Sequence, residues 1–82
     1  MDDFKEVQRN SYRRGLNDLL RSYSFHKDAY EQNLSAWRSS EVGSKEAEDF
    51  YESVEKEECF VTLLAKDISD FIIAYKDILF EE

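Results

Sequence analysis

Eighty-two residues and 9.8 kDa confine the chain to one small domain and exclude a large enzyme, because chains of this size bury only about 60% of the surface their unfolded form exposes. Eleven basic residues against nineteen acidic ones give a formal charge of -8, which repels phosphate backbones and anionic lipid and argues against direct nucleic-acid binding. No proline, two glycines, and 41% hydrophobic beside 37% charged residues describe uninterrupted helices able to fold rather than a disordered acidic tail.

The first element is expected as a helix from about residue 3 to 39. Phe4, Val7, Tyr12, Leu16, Leu19, Leu20, Tyr23, Tyr30, Leu34 and Trp37 recur at spacings that fit one helical face. Asp3 followed by Glu6 has the capping-box pattern with Asp in place of Ser or Thr. Gly15 costs about 1 kcal/mol against Ala inside a helix, and Ser22-Tyr23-Ser24-Phe25 has poor helix propensity. A break near Ser24 would turn a two-helix hairpin into a kinked three-helix bundle, and the pattern leaves both open.

A reversal follows at about residues 40 to 44. Ser39-Ser40-Glu41-Val42-Gly43-Ser44 collects the turn formers, with Gly43 where a helix C′ position favours positive φ. So short a connection makes the flanking helices antiparallel neighbours.

The second helix, expected from about 44 to 80, carries the cleaner pattern. A heptad starting at Ala47 puts Ala47, Val54, Val61, Ile68 and Tyr75 at one seam position and Phe50, Glu57, Leu64, Phe71 and Ile78 at the other; nine of these ten are apolar. Ser44 is the expected N-cap, and Glu46, Glu48 and Asp49 suit the positive end of the helix dipole. Pairing the helices at a constant residue-number sum of 84 sets Trp37 against Ala47, Tyr30 against Val54, Tyr23 against Val61 and Leu16 against Ile68. Large rings then meet smaller side chains. The same register places Glu57 and Glu58 across from His26 and Lys27, and Arg14 across from Asp70. A polar layer of this kind discourages slipped alignments.

Catalytic chemistry has little to stand on. His26 is the only histidine and Cys59 the only cysteine, placed on the outer side of the heptad. One thiol makes no intrachain disulfide, and one histidine without a close ligand set makes no metal site. No Gly-rich phosphate loop, Gly-x-Ser-x-Gly or His-Glu-x-x-His occurs. The chain is therefore expected to be non-enzymatic, with no cofactor and no metal. Met1 to Glu6 has neither the basic start nor the apolar run of a Sec signal, and no apolar stretch approaches a membrane span. A cytoplasmic location without membrane insertion is expected, with export only by a non-Sec route.

Two surfaces are candidates for a protein partner. Residues 1 to 40 carry seven basic and six acidic groups, net +1, whereas residues 41 to 82 carry four and thirteen, net -9. Glu46, Glu48, Asp49, Glu52, Glu55 and Glu58 form an acidic face suited to a basic groove. The end of the second helix is instead apolar beyond its seam. Phe60, Leu63, Ile68, Phe71, Ile72, Ile73, Tyr75, Leu79 and Phe80 are more apolar surface than one partner helix covers. A second hairpin would bury the surplus in a four-helix bundle.

Leu34-Ser35-Ala36-Trp37, a short turn, then Ser44-Lys45-Glu46-Ala47 leading to Phe50 resembles the WXG-type small proteins of type VII secretion. Here Trp37-Arg38-Ser39 stands at the Trp-x-Gly position with the glycine displaced to Gly43, and the one Tyr-x-x-x-Glu, Tyr51 to Glu55, lies inside the second helix. The resemblance implies a helical hairpin that pairs as a homodimer or heterodimer, as a secretion-system partner or chaperone-like subunit. The competing expectation is an inhibitor of the phage anti-defence, DNA-mimic or bacteriocin-immunity kind, blocking a basic groove with the acidic face.

Overall fold

The computed structural model describes residues 2–80, which form two helices and a short reversal. Helix α1 runs Asp2–Ser39 and helix α2 Lys45–Phe80. They lie side by side and antiparallel as a rod of 63 × 16 × 14 Å. The 38 residues of α1 account for nearly all of that length, at about 1.5 Å per residue.

The all-α hairpin is the expected fold; the break near Ser24 is absent, and α1 passes through Ser22-Tyr23-Ser24-Phe25 as continuous helix. The penalty at those residues is a few tenths of a kcal/mol each, and packing of the half-buried Tyr23 and His26 against α2 offsets it. Asp3 lies inside α1 rather than at its cap.

Local chemistry closes both helix ends at the reversal. The Ser40 hydroxyl donates to the Ala36 carbonyl (2.7 Å) and the Ser40 amide to that of Trp37 (3.1 Å), satisfying two carbonyls that α1 leaves free. The Ser44 amide donates to Glu41 (3.1 Å), which makes Gly43, at φ 81°, the third residue of a β-turn. That position, rather than a helix C′, is what requires positive φ. Ser44 then caps α2, its hydroxyl accepting from the Ala47 amide (3.1 Å).

The other end of the rod is held by tertiary contacts. Tyr12 stacks on Tyr75 with ring centroids 4.5 Å apart, and Phe71 packs against both rings. Phe71 packs over Gly15, where a Cβ would lie 3.4 Å from its Cζ, an ordinary contact distance. Helix α2 breaks at Tyr75 (φ -120°, ψ 19°) with neither proline nor glycine beside it. Beyond the break, the Arg13 guanidinium donates to the Leu79 carbonyl through Nε (3.1 Å) and Nη2 (2.9 Å). With Tyr12 stacked on Tyr75, Leu79 lies about 7.5 Å along the axis from the level of Arg13, within reach of its long side chain. No basic residue stands in the last turn of α2, so Arg13 supplies from α1 the cation that a helix C-terminus favours.

Little of this is core. Among the described residues only Ala47, Val54 and Leu79 are buried, and only Leu79, at 1% exposure, is fully enclosed. The radius of gyration is 18.2 Å, where a compact domain of this length has about 12 Å. The accessible surface is 6593 Å², about 1,400 Å² more than a globular monomer of this mass exposes.

The two glycines make opposite predictions at fixed protein concentration in urea. Gly15→Ala stabilises by about 1 kcal/mol, since the helix gains propensity and the new methyl meets Phe71 at ordinary contact distance. Gly43→Ala destabilises by about 1 kcal/mol through left-handed backbone strain alone, with open space around its Cβ.

Candidate interaction surface

The middle of the seam is polar. His26 Nδ1 lies 2.6 Å from Glu57 Oε2, both side chains being partly buried. An ionised carboxylate only accepts, so the ring donates from Nδ1. This pair falls in the expected polar layer but one residue out of the expected alignment, which set Glu58 level with His26 and Glu57 level with Lys27; it favours a single alignment of the two helices. The other expected pairs are not formed. Lys27 sits 5.9 Å over the Tyr23 ring of its own helix. Arg14 and Asp70 are both exposed, and among the described residues His26–Glu57 is the one ion pair.

Around His26 the rings continue outward across both helices. Phe25 meets the imidazole edge-on at 5.3 Å, and Phe60 stacks on it at 4.7 Å. Phe25 and Phe60 are exposed, as is Leu63 one turn beyond Phe60. The result is an apolar cluster seated on a polar pair.

The nine residues expected to bind a partner do not form one free surface. Leu79 is enclosed by its own chain, and Phe71 and Tyr75 stack with Tyr12. Ile68 and Ile72 are half-buried, whereas Phe60, Leu63, Ile73 and Phe80 remain exposed. The kink at Tyr75 and the Arg13 contact divide them, drawing the end of α2 onto α1. Three exposed residues of α1 went unread in the sequence as surface: Phe4, Val7 and Phe25. Phe25 lies off the seam, and the signal for it was a second helical stripe, Phe4, Val7 and Ser11, then Asp18, Ser22, Phe25 and Ala29, at three- and four-residue spacing except for the two turns between Ser11 and Asp18.

All six residues of the acidic face, Glu46, Glu48, Asp49, Glu52, Glu55 and Glu58, are exposed. Beside them Trp37 and Tyr51 pack at 5.6 Å and line an open groove at the turn with Ala47, Glu48 and Glu52. A hydrogen bond to Glu55 and the charge of that carboxylate push the Tyr51 hydroxyl above its ordinary value. Among the described residues no three His, Cys, Asp or Glu side chains converge as a metal site, and no helix is long and apolar enough to cross a membrane.

No protein-family model matches the chain, and neither a curated protein nor a solved structure does.

Two measurements check this geometry. A double-mutant cycle on His26→Ala and Glu57→Ala should give a favourable coupling of about 1 kcal/mol, as for a partly buried, hydrogen-bonded pair; zero coupling contradicts the contact. In an absorbance titration of wild type against Tyr51→Phe, Tyr51 should titrate above 10.0. Glu55→Gln should bring it back down.

Proposed function

We propose that the protein is a non-enzymatic helical interaction module that completes its core by packing against a second helical protein as a four-helix bundle. It serves as a secretion-system partner of the WXG type or as a chaperone-like subunit. One observation carries this reading: a 63 Å hairpin with three buried residues among those described and about 1,400 Å² of surplus surface. Obligate interfaces bury about 1,000–2,500 Å² per partner, and the surplus falls in that range. Small domains that stand alone add disulfides or metals to so small a core. This chain has one free, exposed cysteine and no metal cluster among the described residues.

The uncovered acidic face favours the second reading, an inhibitor that blocks a basic groove. The two differ in the forces they use. Pairing through apolar surface tolerates salt and survives the combined change Glu52→Lys, Glu55→Lys and Glu58→Lys; groove blocking loses affinity steeply under either.

Hydrogen exchange on the chain held monomeric by dilution tests the pairing reading. Amides in the middle of both helices should exchange with protection factors below about 10³, since the lone hairpin has almost no core to hold them closed. Protection above about 10⁵ along both helices in the monomer would show a fold that needs no partner.

A further inference from the structure

We infer that the partner is a second copy of this chain, and that the two copies meet through the face carrying Phe25, Phe60 and Leu63 above the His26–Glu57 pair. The inference rests on the pairing reading and adds the identity of the partner and the face it covers.

The face is built before any partner arrives. Phe25, His26 and Phe60 form a continuous row of rings across both helices, with centroid separations of 5.3 and 4.7 Å. His26 is held from beneath by Glu57. Exposures of 69% for Phe25, 46% for Phe60 and 54% for Leu63 leave much of this cluster in water. Large, already ordered aromatic side chains at the centre of a patch are the usual anchors of protein interfaces. On α1 the cluster continues along the stripe of Phe4, Val7, Ser11, Asp18, Ser22, Phe25 and Ala29. Asp18 is the one charge among these seven, and the exposed Arg14 borders them in the gap between Ser11 and Asp18. The small residues Ser11, Ser22 and Ala29 allow another helix to approach closely.

Position along the rod points to self-pairing. The cluster lies near the midpoints of both helices, since α1 spans Asp2–Ser39 and α2 spans Lys45–Phe80. A two-fold axis through that point sets the row of rings against its own copy while the rods overlap along their whole length. A patch at one end would allow only partial overlap. Two surpluses of about 1,400 Å² amount to about 2,800 Å², inside the range of obligate dimers. The opposing term is repulsion between two chains of charge -8, which salt screens. Self-pairing therefore tightens as salt rises, the opposite of what a basic partner would show.

Sedimentation equilibrium of the full chain from 1 to 200 µM tests the inference. Wild type should reach twice the monomer mass, with the dissociation constant falling as sodium chloride rises from 0.05 to 0.5 M. The double variant Phe25→Asp, Leu63→Asp should raise that constant at least 100-fold, with far-UV circular dichroism at matched association state checking its helix content. Ile73→Asp, at a position 67% exposed and about 140° around α2 from Phe60, should change it less than about threefold. A wild-type monomer at 200 µM overturns the inference, as does a dimer that survives the double variant. With a wild-type monomer, weakly protected amides assign the pairing to a different protein, whereas strongly protected ones remove the pairing reading as well.

Discussion

Two antiparallel helices share one seam, and everything about this molecule follows from how little a single seam can enclose. Each helix offers the other one stripe of side chains, so a residue must sit near the line of contact and be small, as Ala47 and Val54 are, to be covered on all sides. Larger seam residues such as Phe71 and Tyr75 stay half-exposed although they stack directly on Tyr12. Only beyond the kink, beside the Arg13 contact, is a large side chain, Leu79, enclosed. The fold uses polar contacts to set its alignment: Ser44 starts α2, His26 and Glu57 fix the register, and Arg13 ties down the end. These contacts choose one arrangement of the helices without burying much of them.

Much of that arrangement is legible in the sequence because it depends on periodicity and on local chemistry. The nine apolar residues of ten in the α2 heptad and the turn formers around Gly43 announce a hairpin, and the alignment that matched large rings to small residues brought His26 level with Glu58, one residue from the Glu57 it meets. What could not be read depends on contacts between residues far apart in the chain. The break left open at Ser24 came from propensities on the order of tenths of a kcal/mol, which packing of the half-buried Tyr23 and His26 outweighs. The real break, at Tyr75, has no proline or glycine to announce it and is held by Tyr12 and Arg13, more than 60 residues away. One sequence sign did exist for Arg13: the last turn of α2 has no cation of its own.

The interaction surface divides along the same line. Residues chosen for being apolar near the end of α2 proved to be of two kinds, those consumed by the seam and those left outside it. Periodicity on α2 alone cannot separate them, because the division depends on where α1 lies. Phe25 shows the converse. Counted against the seam of α1 it is an outlier, yet in three dimensions it continues the ring row of His26 and Phe60 at the middle of the rod. Apart from Glu57, which His26 holds in the seam, the acidic side chains of α2 are exposed, and their net charge keeps the rod dispersed.

The central claim is that one hairpin is too thin to hold itself folded. Thermal unfolding followed by far-UV circular dichroism between 0.5 and 200 µM tests this most directly. The account predicts a broad, low-temperature transition at the dilute end and a midpoint that climbs with concentration as chains complete one another's core. A sharp, concentration-independent transition in the ordinary domain range of about 45–65 °C would contradict it.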